Sequence, residues 1–187
     1  MSHDTISKLA DAFKNTDGQT GLISPVHKAK DGRLDFGFKD HIMRYAPESS
    51  KEAILQGDVG LYETGFVNAA CWMLSRNAVK TVGGFNPLFP HYGEDTDFVN
   101  RHAFHGLQVK VLNSVFITHD REQKHSDSFS KMKKREEVAF LKHLANINFT
   151  FSSAWATVFK KYIKEVIYYF FTFSWNRVLA IKLAFLK

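Results

Sequence analysis

The spacing of apolar residues predicts helices near both ends of the chain. Ile6, Leu9 and Phe13 recur at helical intervals, and the polar "NTDG" that follows ends this helix. A charged helix begins near Ser128, within "SDSFSKMKKREEVAFLKHLANI". The segment "AWATVFKKYIKEVIYYFFTF" has the same periodicity, and "NRVLAIKLAFLK" follows it. The last third of the chain is therefore predicted to be helical.

Strand and turn signals lie between these helices. "GLISPV" is typical of a short buried strand, and "KAKDGRLDFGF" predicts a hairpin because Asp31-Gly32 supplies a positive-φ turn. Residues 39–60 are polar and lack a clear period, so we expect a surface loop there.

The pattern sharpens from residue 65 onward. "FVNAACWMLS" predicts a buried strand, "RNAVKTV" a short helix, and "GGFNPLF" a turn that needs glycine. "DTDFVNRHAFHGL" is a helix, and "QVKVLNSVFITH" reads as strand, break, strand. One helix face carries Asp95, Phe98, Val99, His102 and Ala103. This order of elements predicts an α/β fold with helices packed on a sheet.

The charge balance narrows the classes of partner. The formal net charge of +6 favours anionic partners. The excess is diffuse before the last third, and no aromatic-plus-basic motif is present, so we expect no nucleic-acid binding. Cys71 is the only cysteine. A disulfide framework and a cysteine-based zinc site are thereby excluded, and a reducing compartment is favoured.

No segment has the pattern of a signal peptide or a membrane-spanning helix. The first residues are polar and helical, and the longest apolar run, residues 166–173, is far shorter than the roughly 20 residues that a span needs. We expect a cytoplasmic protein, with peripheral attachment to the cytoplasmic membrane as an open alternative.

The helix over residues 154–173 is amphipathic. Lys160, Lys161 and Lys164 form its polar face. Its apolar face comprises Trp155, Phe159, Tyr162, Ile163, Val166, Ile167 and Phe170. Such a helix can lie on an anionic membrane surface, cap a core or pack against a partner chain, and the sequence leaves all three open.

Three carboxylates gather at "HYGEDTDF", where a helix begins. Glu94, Asp95 and Asp97 are suited to capping that helix, because its dipole favours negative charge at the N-terminus by about 0.3–1 kcal/mol. The same placement keeps a carboxylate ionised and able to act as a general base. The surrounding motifs must decide between these interpretations.

Those motifs form an ordered set. Gly83-Gly84-Phe85 follows a short helix, Glu94-Asp95-x-Asp97 opens the next one, Arg101 comes one turn later, and His119 ends the last core strand. In this order they resemble the C-terminal half of the catalytic domain of family-2 glycosyltransferases. The resemblance covers about residues 4–145 and implies a partial GT-A-like, Rossmann-like mixed sheet.

The resemblance implies a role for each site residue. Asp95 would be the catalytic base of an inverting transfer from a nucleotide-sugar, and Glu94 would orient the acceptor. The acceptor-binding residues would be Trp72, Asn68 and Asp97. His119 would bind a divalent metal, manganese or magnesium, which in the family stabilises the leaving diphosphate.

Simpler structural explanations exist for the same residues. Asp95 and Glu94 can be helix-capping acids, Asp97 can pair with Arg101 on an exposed helix face, and Trp72 can be a core residue. His102 and His105 lack a third metal ligand and are expected on the helix surface. His119 can be an ordinary strand-end histidine.

The family's nucleotide-binding half and its metal-binding D-x-D motif have no counterpart before residue 65. We therefore expect a truncated enzyme with a partial GT-A domain at 1–126, on the acceptor side, and a helical region at 127–187. A separate N-terminal half would then supply the nucleotide-sugar. The predicted function is transfer to a glycan or glycoconjugate in polysaccharide biosynthesis. The alternatives are a non-catalytic module that binds a partner or membrane, and a hydrolase using Asp95, Asp97 and His119.

Overall fold

The computed structural model describes residues 4–120 and 128–186. Within these residues the chain forms eight helices and four strands, which confirms the predicted α/β fold. In chain order they are α1 (Thr5–Lys14), β1 (Thr20–Lys28), α2 (Phe36–Tyr45), α3 (Glu48–Gln56), β2 (Leu61–Thr64), β3 (Met73–Leu74), α4 (Arg76–Val82), α5 (Glu94–Phe104), β4 (Gln108–Thr118), α6 (Phe129–Leu144), α7 (Phe151–Phe171) and α8 (Trp175–Phe185).

The four described strands form one mixed sheet in the order β2-β4-β1-β3. β1 and β4 are parallel, while β2 and β3 pair antiparallel with their neighbours. The mixed sheet fits the predicted partial GT-A-like architecture. The predicted break in the last strand is a bulge: Leu112 pairs with Pro25, but Phe116 pairs with Val26. β4 is thus one strand with an irregular centre.

β1 lies at the centre of the sheet. Of its nine described residues, eight are buried. Ile23 packs with Leu9, Leu112 and Val115 in a core cluster that joins α1 to β1 and β4. The apolar signal of "GLISPV" therefore predicted this strand correctly.

Two helices occupy the region predicted to be a loop. α2 begins at the cap residue Asp35, whose carboxylate accepts a hydrogen bond from the Phe38 amide at 2.9 Å. α3 ends at Gly57, which has φ of 88°. The hairpin prediction is correct for the turn at Gly32 and for one antiparallel bridge, between Lys28 and Leu34. The pairing stops there instead of continuing as a second strand, because α2 begins at residue 36.

The long strand predicted for "FVNAACWMLS" is also wrong. Only Met73 and Leu74 of that segment pair with β1, as β3. The Thr64 hydroxyl donates a hydrogen bond to the Phe66 carbonyl and accepts one from the Phe66 amide. These two bonds stabilise a turn just after β2. Residues 65–72 therefore run as an irregular segment.

The chain divides into two compact units. The first unit comprises Met1–Gly84 and Arg101–Glu122, and the second comprises Phe85–Asn100 and Gln123–Lys187. The predicted domain boundary, between residues 126 and 127, lies outside the described residues.

The second unit has its own helical core. α6, α7 and α8 pack around the buried residues Phe140, Val158, Ile181 and Ala184. No helix among the described residues combines the length and the apolar character needed to cross a membrane.

The predicted division of α7 into one apolar and one basic face needs correction. Tyr162 and Val166 pack against the helical core, whereas Phe159 and Ile163 are exposed. Lys161 is half-buried and pairs with Glu165 one turn later on the same helix. The helix therefore has a buried face and a separate exposed apolar stripe.

Candidate active site

The turn before α5 has an unusual backbone. Tyr92 and Gly93 both adopt positive φ, at 67° and 86°. This conformation is costly for tyrosine, and such strain is often found at functional sites. A Cβ on Gly93 would lie 3.0 Å from both Lys142 and Val138 of α6. The turn is thus held against α6, and it places Glu94 as the first residue of α5.

Glu94 and Asp95 occupy the first turn of α5, as predicted. Oε2 of Glu94 is buried and has no hydrogen-bond partner among the described residues. Oδ1 of Asp95 accepts a bond from the Thr96 amide at 2.7 Å and another from the Thr96 hydroxyl at 3.4 Å. An unpartnered buried acceptor costs about 1–3 kcal/mol, so Glu94 is suited to receive a donor from a ligand or water.

Asp97 is buried, which corrects the expectation that it lies on an exposed helix face. Its Oδ1 accepts a hydrogen bond from the Asn86 side chain at 3.3 Å. The preceding residue, Phe85, packs its ring 5.1 Å from that of Phe98. Asp97 and Phe98 therefore secure the turn after Gly84 to α5.

In the first unit, the parallel strands β1 and β4 bring their carboxyl ends to the same edge of the sheet. The His119 amide, just beyond β4, donates to the Lys28 carbonyl of β1 at 2.7 Å. The His119 ring lies 5.9 Å from the ring of His27. Ligands of open α/β sheets usually bind at this edge, so His119 lies where the fold family places chemistry.

The sequence analysis did not single out Ser24, in the middle of β1, or His27, near the carboxyl end of that strand. Both are fully buried, and Nε2 of His27 lies 3.1 Å from Oγ of Ser24. The His27 ring also packs 5.0 Å from Phe38 of α2. A histidine and a serine inside the apolar run "ISPVHK" were the available signal.

Asn68 and Trp72 lie on the irregular segment after β2. Asn68 is buried, and its Oδ1 has no hydrogen-bond partner in the described part of the chain. Trp72 is half-buried. The segment is joined to β1 by the Ser24 hydroxyl, which donates to the Cys71 carbonyl at 3.3 Å. Burial raises the pKa of the Cys71 thiol, which disfavours the reactive thiolate.

His102 is fully buried, so its expected place on the helix surface is wrong, while His105 is exposed as predicted. The ring of His102 lies close to β1: a Cβ added to Gly21 would be 2.6 Å from its Cδ2. Gly21 thus leaves the space that the buried imidazole fills.

The six predicted site residues belong to both units. Asn68, Trp72 and His119 lie in the first unit, and Glu94, Asp95 and Asp97 lie in the second. Within residues 4–120 and 128–186, no group of three His, Cys, Asp or Glu side chains could hold a metal ion. The divalent metal that the family resemblance implies, and His119 as its ligand, stay predictions.

The first unit also has an open cavity of about 310 Å³ beside the β4 bulge. Its lining includes Lys28, Asn113 and Phe116 but none of the six predicted residues. The Lys28 ammonium lies 4.4 Å from the centre of the Phe116 ring.

A protein-family model described as the N-terminal domain of galactosyltransferase matches residues 63–126. The match covers 64 of the 187 residues and includes all six predicted site residues; residues 121–126 of it lie outside the described part. Neither a curated protein nor a solved structure gives a match. The similarity supports a glycosyltransferase-related domain and a general role in glycosyl transfer. Membership of family 2 stays a prediction.

Proposed function

We propose that this chain carries the acceptor side of an inverting glycosyltransferase, with Asp95 as the catalytic base. The observation that carries this proposal is the position of Glu94 and Asp95. They open helix α5 inside the segment that is similar to a galactosyltransferase domain. A helix N-terminus favours an ionised carboxylate, which is the state that a base must have.

In the proposed reaction, an acceptor hydroxyl attacks C1 of a nucleotide-activated sugar. The new bond joins the acceptor oxygen to C1. The bond from C1 to the diphosphate oxygen breaks, and its electron pair stays on that oxygen. The nucleoside diphosphate leaves, and a carboxylate oxygen of Asp95 takes the proton. Since both hydrogen bonds from Thr96 reach Oδ1, we assign this proton to Oδ2. Attack opposite the leaving group inverts C1.

Each unit has one buried, unpartnered acceptor that supports contact with a sugar hydroxyl by that unit. Oε2 of Glu94 and Oδ1 of Asn68 are each buried without a hydrogen-bond partner among the described residues. Sugar hydroxyls are donors that would satisfy them. The half-buried Trp72 would stack on a sugar face. We propose that donor binding needs a nucleotide-binding segment with a metal-binding D-x-D motif of its own.

The test is glycosyl transfer by the full chain together with a nucleotide-binding segment that contains a D-x-D motif. The substrates are UDP-, GDP- and dTDP-sugars with manganese or magnesium. Asp95→Asn keeps the shape of the side chain and should lower turnover about 10²–10⁴-fold, the usual contribution of a positioned base. Glu94→Gln should mainly raise KM for the acceptor.

Asp97→Asn is the matched control, because it removes an equal charge two residues away. Its main effect should be on the melting temperature, since Asp97 is buried and bonded to Asn86. If Asp95→Asn keeps full turnover, or if it only lowers the melting temperature, Asp95 is a helix-capping residue and the proposed base is misassigned.

A further inference from the structure

The second unit leaves two rows of large apolar side chains exposed. Trp155, Phe159, Ile163 and Ile167 follow one another at intervals of four along α7 and form the α7 stripe; each is 40–55% exposed. Trp175, Leu179 and Leu183 form the α8 stripe in the same way. Near the turn between the helices, Trp175 of the α8 stripe packs its ring 5.1 Å from that of Phe170, an exposed residue three positions after the end of the α7 stripe.

The stripes are not needed to complete the helical core. The core contacts of α7 come from Val158, Tyr162, Val166 and Tyr169, and those of α8 come from Ile181, Ala184 and Phe185. Contiguous rows of exposed large apolar side chains are uncommon on proteins that have no partner. A partner of the second unit is therefore expected on this surface.

The charges beside the stripes are of one sign. Among the described residues of α7 and α8, the most exposed charged residues are Lys160, Lys164 and Lys182, while Arg177 is half-buried and lies 3.8 Å from Glu136 of α6. The one carboxylate of these helices, Glu165, is half-buried and paired with Lys161. An apolar stripe flanked by lysines and ending in tryptophans is complementary to the interface of an anionic bilayer.

We propose that the α7 and α8 stripes bind the surface of an anionic lipid membrane. The apolar side chains would enter the boundary between headgroups and acyl chains, and the three lysines would lie among the headgroups. A symmetric dimer fits less well, because it would bring the lysines of both copies together without exposed acids on these helices to pair them. The proposal does not depend on glycosyl transfer, since it is tested without substrate.

The test is flotation of the full chain with vesicles of phosphatidylcholine alone or mixed with phosphatidylglycerol. Binding should require the anionic lipid and should weaken as salt is added. Lys160→Gln with Lys164→Gln should weaken partition roughly 30-fold, because each lysine near such a surface contributes about 1 kcal/mol. Lys39→Gln with Lys80→Gln is the matched control, since both residues are exposed in the first unit and the change in net charge is equal. Equal loss in both variants, or equal binding to both kinds of vesicle, would overturn the proposal.

The apolar part is tested separately. Phe159→Ser with Ile163→Ser should reduce partition at least tenfold, and circular dichroism should stay unchanged because both side chains are exposed. Brominated lipids should quench Trp155 and Trp175 but not Trp72, as measured in variants that keep one tryptophan each. If the serine variant binds as well as the original chain, or converts a dimer to a monomer, the surface has another partner and the proposal fails.

Discussion

Strand β1 and helix α7 look alike in the sequence, because each carries a run of large apolar side chains. In the structure they differ. Eight of the nine described residues of β1 are buried, whereas only Ala154 and Val158 are buried among the 21 of α7. β1 has a strand on each side and a helix packed on it. α7 contacts its core along one face only.

The difference shows that an apolar run in the sequence predicts that its side chains will be buried. It does not predict which residues, or which other molecule, will bury them. In β1 the side chains are buried within the first unit, by residues as distant in sequence as Leu9 and Val115. In α7 one part of the apolar surface packs against α6 and α8, and the other part, the α7 stripe, stays exposed. An apolar run that the fold leaves exposed is therefore a functional signal.

The largest predicted effect compares one substitution in three environments. Ile23→Ala in β1 and Ile181→Ala in α8 remove fully buried side chains and should each cost about 2–5 kcal/mol of unfolding free energy. Ile163→Ala in the α7 stripe should change it by less than about 0.5 kcal/mol, since that side chain is 40% exposed and alanine favours helices. Urea denaturation measures all three. A loss at Ile163 as large as at Ile181 would mean that the stripe belongs to the core.

The second prediction compares two glycines with almost the same backbone. Gly57 in the first unit has φ of 88° and no atom within 4 Å of an added Cβ. Gly93 in the second unit has φ of 86°, but the added Cβ would meet Lys142, Phe89 and Val138 at 3.0 Å. Gly57→Ala should cost about 1–2 kcal/mol, the usual penalty of a left-handed backbone.

Gly93→Ala should cost about 1 kcal/mol more, because crowding in a packed site adds to the backbone penalty. Thermal melting and urea denaturation of both variants give the comparison. Equal losses of unfolding free energy would show that the α6 side chains move easily to accommodate the added Cβ. The turn before Glu94 would then be less firmly held than the structure indicates.

Local signals explain how much of the fold was predictable. α1, α4, α5, α6 and α7 follow from apolar spacing, and the start of α4 follows from Ser75, whose hydroxyl accepts the Ala78 amide at 3.0 Å. α2 and α3 were missed because their buried apolar contacts come from few residues, Phe38 and Ile42 in one and Ile54 in the other. A pattern so sparse has no clear period.

The site follows the same division. Glu94 and Asp95 at the first turn of α5 could be predicted, since acids at a helix start are a local signal. The burial of Asp97 could not, because it depends on Asn86, eleven residues away. Likewise, His27 is buried by Phe38 and His119, which are brought to it only by the fold. Tertiary packing, not local sequence, decides these positions.

The smallest predicted effect concerns a charge inside the helical core of the second unit. Glu136 of α6 is buried, and its carboxylate lies 3.8 Å from the Arg177 guanidinium of α8. The charges of Lys161 and Glu165 of α7 also affect the pKa of this carboxyl group. Burial, together with the negative charge of Glu165, raises the pKa of Glu136 above its ordinary value of 4.5, although Lys161 and Arg177 oppose the shift. The Arg177 side chain is 41% exposed, so solvent screens this pair, and such pairs contribute only about 0–1 kcal/mol.

The raised pKa gives the pH dependence its sign. Above 4.5 the folded chain holds this proton more strongly than the unfolded chain, so the contribution of Glu136 to stability falls as pH rises through the raised pKa. Glu136→Gln lacks this titration. The variant should therefore gain stability relative to the original chain as pH rises. Its unfolding free energy minus that of the original chain should be larger at about pH 7.5 than at about pH 5. His143 titrates in the opposite sense, because burial and Lys161 lower its pKa, but its contribution is common to both chains and cancels in the difference.

Urea denaturation of the two chains at both pH values gives the measurement. A difference that stays constant, or that favours the original chain at the higher pH, would mean that Arg177 and Lys161 hold the carboxylate ionised.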